Sequence, residues 1–98
     1  MGPVQGHLVK DFDELDASGP GAFFFLVEPI EGGERRTFVF NCPCGCGTNC
    51  AIPLTPWRTH PFWEWDGNVE TPTLSPSIQR LDGCMWHGFL RNGVWETV

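Results

Sequence analysis

Apolar residues run along this chain in short blocks of strand length, each closed by Gly, Pro, Asn or Asp, and that rhythm predicts a mostly-β domain. Ala22-Phe23-Phe24-Phe25-Leu26-Val27 is an unbroken apolar run and is expected as a central strand. The turn Glu31-Gly32-Gly33-Glu34 sends the chain back as its hairpin partner, Thr37-Phe38-Val39-Phe40. Ala51-Ile52-Pro53-Leu54 reads as a short edge strand, because Pro53 has no N–H to give a ladder. Phe62-Trp63-Glu64-Trp65 alternates, placing Trp63 and Trp65 on one face. Thr71 to Ile78 also has period two, with Leu74, Pro76 and Ile78 on one side and Thr73, Ser75 and Ser77 on the other. The clearest hairpin is Gly88 to Glu96, where Asn92-Gly93 suits a two-residue type I′ turn and sets Leu90 opposite Trp95. Near the start, Leu8, Phe12 and Leu15 recur at helical spacing among acids until Gly19-Pro20-Gly21 stops them. The expected organisation is an N-terminal arm or short helix over residues 1–20 and one small β domain over residues 21–98, a partly open barrel or two packed sheets.

At 98 residues the chain buries only about 60 to 65 per cent of its unfolded surface, so a covalent or metal staple would help it fold. The formal charge of -6 removes the phosphate attraction that nucleic-acid binding needs, and nucleic acid is not expected as a partner. No apolar run reaches the roughly 18 residues of a membrane span, and Met1 to Lys10 has no apolar core for an export signal. A cytoplasmic location is expected, with no membrane partner.

In that compartment thiols stay reduced, and the odd count of five cysteines argues further against a disulfide framework. Three of the five fall in Asn41-Cys42-Pro43-Cys44-Gly45-Cys46-Gly47, and a fourth opens Cys84-Met85-Trp86-His87. Gly and Pro let a backbone bend tightly enough for nearby residues to converge on one ion. The expected ligands of a structural zinc are Cys42, Cys44, Cys84 and His87, with Cys46 as the alternate and Cys50 farther off. Four protein ligands leave no open position for water, so the metal is expected to hold the fold and not to do chemistry. The rival is a [2Fe–2S] cluster, since Cys84-x-x-His87-Gly88 resembles the second half of a Rieske motif; the hairpins are accordingly expected to be Rieske-like or zinc-ribbon-like.

Other chemistry finds less footing. No His begins an H-x-E, so the zinc deaminase signature is missing. Nothing in the sequence sets a base beside Cys46 or Cys50 to make either a nucleophile. His60 reads as a surface loop residue, and Trp57, Trp63 and Trp65 as core in preference to an exposed binding face. The acids Asp11, Asp13, Glu14 and Asp16 read as a solvated face.

The combination of Cys42-Pro43-Cys44-Gly45-Cys46-Gly47, Pro53-Leu54-x-Pro56-Trp57, Thr73-Leu74-Ser75-Pro76-Ser77-Ile78 and Cys84-x-x-His87 resembles a family of small cysteine-rich proteins of phages, prophages and bacteria, some labelled ammonia monooxygenase. The resemblance covers about Arg36 to Glu96. It implies a β fold and a metal site made from the cysteine turn and the C-x-x-H. It also implies protein partners, because some relatives are grouped with genes for ubiquitin-like conjugation. The monooxygenase label has no support here, as no histidine and carboxylate triad for iron can be assembled. The function expected from these readings is that of a non-enzymatic, zinc-stapled phage or prophage accessory protein acting as a protein-interaction module. The alternatives are a Rieske-like electron carrier and a virion component.

Overall fold

A computed structural model describes residues 2–54, 63–80 and 83–98. The expected mostly-β single domain is what it shows, arranged as two four-stranded sheets and a two-stranded ribbon. In chain order the elements are β1 (Val4–Gln5), β2 (His7–Leu8), α1 (Phe12–Asp16), β3 (Ala22–Ile30), β4 (Gly33–Asn41), β5 (Asn49–Pro53), β6 (Glu64–Trp65), β7 (Leu74–Ser75), β8 (Ile78–Gln79), β9 (His87–Arg91) and β10 (Val94–Thr97). One sheet has the order β1-β10-β9-β8, the other β2-β3-β4-β5, and β6 pairs with β7. Among the described residues no helix is long and apolar enough to cross a membrane.

The β3–β4 hairpin carries the main core. Phe23, Phe38 and Phe40 alternate onto one face, where they are fully buried with Leu90 and Trp95 from the other sheet. Phe40 and Trp95 have ring centroids 4.8 Å apart, and Trp86 meets Trp95 edge-on at 5.6 Å. Trp63 and Trp65 are half-buried against this core, and Trp65 lies 4.5 Å from Phe25. Aromatic contacts of this kind add to what area burial alone supplies. The other face of the same hairpin, Phe24 and Val39, is closed by Val9 and Leu15 in a smaller core. Trp57 and His60 lie outside the described residues.

The first twenty residues join both sheets. β1 pairs with β10, β2 pairs in parallel with β3, and Leu15 of α1 is fully buried. Asn41, at the end of β4, ties them to the core: its side-chain amide donates to the carbonyls of Leu15, Ser18 and Gly19 at 2.8, 3.2 and 3.2 Å.

The Gly88–Glu96 hairpin has the anticipated register, with Leu90 opposite Trp95. Asn92 and Gly93 both take positive φ, 50° and 76°, as a type I′ turn requires. Gly88 is needed for a different reason: a Cβ there would run into the Glu96 carbonyl and stand 2.5 Å from the Trp86 ring. Gly88→Ala is therefore expected to cost about 3 kcal/mol by overpacking, read as a lower midpoint in urea at unchanged slope.

Candidate functional site

Two clusters of chemically capable side chains lie beside the β8–β9 pair. The first begins where β4 ends. Cys42 N–H donates to the Thr48 carbonyl at 3.0 Å and Gly45 N–H to the Cys42 carbonyl at 3.1 Å, so the segment closes into a tight loop. Gly45 sits at φ 87°, a left-handed conformation that a side chain would resist. The loop turns its thiols toward Cys84, which projects from the turn after β8. Cys42 Sγ lies 3.2 Å from Cys44 Sγ and 3.4 Å from Cys84 Sγ. The four sulfurs of Cys42, Cys44, Cys46 and Cys84 all fall within 4.8 Å of one another. A tetrahedral zinc with 2.3 Å arms spaces its sulfurs about 3.8 Å apart, so this group fits one ion with small adjustments.

The electrostatics of the thiols are divided. Burial pushes the Cys42 thiol up, and burial together with its thiol neighbours pushes Cys44 up to about 12. Cys46, exposed, is drawn down to about 6, first by hydrogen bonding with Thr48. Cys84 is lowered, first by its contact with Cys44. A group in which some thiols resist ionisation while others favour it is one that a cation would bring to a common thiolate state. Arg80 adds positive charge at the rim, its Nη1 donating to Cys84 Sγ at 3.3 Å and Cys46 Sγ at 3.4 Å.

Of the residues expected as ligands, Cys42, Cys44 and Cys84 are brought together, and Cys46, held as the alternate, joins them. His87 does not, and Cys50 stands outside the group as well. The reason lies in the ladder. His87 is already the first residue of β9, paired with Gln79, so its side chain stands on a sheet face instead of bending back with the Cys84 turn.

That face holds the second site. β8 and β9 are antiparallel with Ile78 opposite Gly88 and Gln79 opposite His87. Ile78 and Leu90 point into the core, which leaves Ser77, Gln79, His87 and Phe89 on the outer face. Ser77 and His87 are diagonal neighbours there, within reach of a long side chain. His87 Nε2 lies 3.0 Å from Ser77 Oγ. Both residues are half-buried, and among the described residues Ser77 is the hydrogen-bond partner of the imidazole. The Trp63 indole N–H donates to the Ser77 carbonyl at 3.3 Å and anchors the backbone that carries the hydroxyl.

The Ser77–His87 pair was not anticipated from the sequence. The available signals were the polar side of the alternating Thr73 to Ile78 tract and a histidine opening the next strand, but the offset that joins them is a matter of strand pairing. A hydroxyl within hydrogen-bond distance of an imidazole is the arrangement by which a histidine takes a proton from a serine nucleophile.

No curated protein matches the chain, and neither does any solved structure. A family model described as "Bacterial ubiquitination-like system serine protease (BubE)" matches residues 10–98. This supports a bacterial family tied to a ubiquitin-like system, and it corrects the expectation of a non-enzymatic module, since the family is described by a catalytic activity. With the match running over nearly the whole length, the chain belongs to the BubE family of bacterial ubiquitination-like system serine proteases.

Proposed function

We propose that this chain is a serine peptidase of a bacterial ubiquitination-like system, with Ser77 as nucleophile and His87 as general base, and that Cys42, Cys44, Cys46 and Cys84 hold one structural zinc. The observation that carries the peptidase reading is the 3.0 Å contact between Ser77 Oγ and His87 Nε2. With the ring proton on Nδ1, Nε2 accepts the hydroxyl proton while Oγ attacks the scissile carbonyl. The tetrahedral intermediate collapses as the same Nε2 returns its proton to the leaving amine, leaving an acyl group on Ser77. Water, deprotonated by His87, then attacks that ester, and Oγ leaves with the proton. His87 opens β9 and Ser77 immediately precedes β8, so their spacing follows the register of the β8–β9 pair.

Cys42, Cys44, Cys46 and Cys84 would hold the metal, which would tie the loop after β4 to Cys84 and, with four protein ligands, would offer no position for an activated water. A single ion is favoured over [2Fe–2S], which divides its ligands between two irons, because the four sulfurs lie within 4.8 Å of one another and His87 is engaged elsewhere. Serine in place of Cys42, Cys44, Cys46 or Cys84 is expected to bring metal content well below one per chain by elemental mass spectrometry, while Cys50→Ser retains it. Full metal retention in Cys46→Ser would remove that residue from the site. The phage or prophage setting is a matter of genome context, to be read from neighbouring genes for a ubiquitin-like protein.

The direct test is cleavage of a precursor or conjugate of the ubiquitin-like protein of the same system, followed by mass. Wild-type protein is expected to cleave it, and Ser77→Ala to lose at least about 10³-fold in rate. Undiminished cleavage by Ser77→Ala would assign the activity to another residue.

A further inference from the structure

Arg80 touches the thiol group with its side chain and the β8–β9 pairing with its backbone. It follows β8 directly, and its backbone N–H donates to the Trp86 carbonyl at 2.8 Å, closing the last rung between the two strands. Ser77 lies three positions before Arg80, and Cys84, ahead of β9, lies three positions before His87. The side chain of Arg80 reaches the two thiols that project farthest from the core, those of Cys84 at 3.3 Å and Cys46 at 3.4 Å, and so spans both cysteine turns. The turn folds closely beneath it, since a Cβ on Gly83 would stand 3.3 Å from Arg80 Nη2.

Building on the proposed peptidase and zinc sites, we infer that Arg80 is a positioning residue that couples the metal centre to the catalytic pair. Four thiolates around Zn²⁺ carry a net charge of about −2, and a guanidinium donating to two of them offsets part of it; partners of this kind hold metal ligands in place. The same contact fixes the end of β8 to the metal-bound turns. The diagonal contact of Ser77 with His87 exists only at one offset of β8 against β9, and a slip of one residue would turn Ser77 to the other face of the sheet. Arg80 thus holds the offset on which the 3.0 Å contact depends. Its charge serves the metal, and Nη1, shared between two sulfurs, serves the register.

The test uses the full-length, zinc-loaded protein and two readouts: zinc transfer to a chelating dye, and phosphonylation of Ser77 by a fluorophosphonate probe, in which Oγ displaces fluoride and His87 takes the proton. Labelling is measured with zinc in excess. Arg80→Ala is expected to release zinc about 10- to 100-fold faster and to label about 10- to 100-fold more slowly although zinc is bound. Arg80→Lys should recover most of the zinc retention but still label more slowly than wild type, because the ammonium is a point charge on a flexible stem and lacks the rigid planar guanidinium that holds the end of β8. Wild-type labelling in Arg80→Ala, or in Arg80→Lys if the alanine variant does not fold, overturns the positioning role. Slow labelling with unchanged zinc release overturns its route through the thiols. The wild-type control separates these outcomes from failure of the underlying sites: no label on Ser77 refutes the peptidase, and no bound zinc refutes the metal centre.

Discussion

Replacing His87 with Gln is expected to leave one metal ion per chain in place while lowering the reactivity of Ser77 by about 10⁴-fold, because the hydroxyl keeps a neighbour of similar size but loses its base. The two readings of His87 part company here. As a fourth ligand beside three cysteines, its loss would empty the metal site and take the fold with it. As the base of Ser77, on the outer face of the β8–β9 ladder, its loss touches the chemistry alone. Metal content and circular dichroism on one sample, with fluorophosphonate labelling on another, read both. A metal-free, unfolded His87→Gln protein would return the histidine to the metal and leave Ser77 without a base.

Stripping the metal is the second large perturbation. Structural zinc sites in small domains bind with about 10 to 16 kcal/mol at neutral pH, well above the few kcal/mol that a core of this size supplies. The thiol group joins the end of β4 to the turn between β8 and β9, and so links the two sheets. Removing the ion with a chelator is expected to collapse the dispersion of the NMR spectrum and to abolish labelling of Ser77, both returning on addition of zinc. A stripped sample with a native spectrum would make the thiol group dispensable for folding.

Much of this was written in the sequence where local pattern dominates. The Phe23–Phe25 run, the alternation of Phe38 and Phe40, and the Asn92-Gly93 turn each specify their own geometry, and all appear as expected. The cysteine turn was legible for the same reason, because Gly45 and the C-x-C spacing are local. The two-residue strands β1 and β2 carry no apolar alternation and are held by pairing with β10 and β3, which no local pattern announces. His87, expected from its spacing as a ligand, lies outside the thiol group. C-x-x-H brings two ligands together when both lie on a turn, but here the ladder begins at the histidine itself and turns its ring to the sheet face. Ser77 was harder still, as its meeting with His87 is a diagonal across the β8–β9 register, which no local pattern announces. The family match supplied what neither pattern nor spacing did, that a serine was worth seeking.

The most direct measurement is the native mass of wild-type protein, purified untagged and without chelator, before and after treatment with a fluorophosphonate, with the adduct mapped by peptide sequencing. One zinc per chain and one phosphonyl group on Ser77, absent from Ser77→Ala, is the outcome that a serine peptidase built on a zinc-clamped hairpin requires. No adduct on Ser77, or a mass showing two irons in place of one zinc, would contradict it.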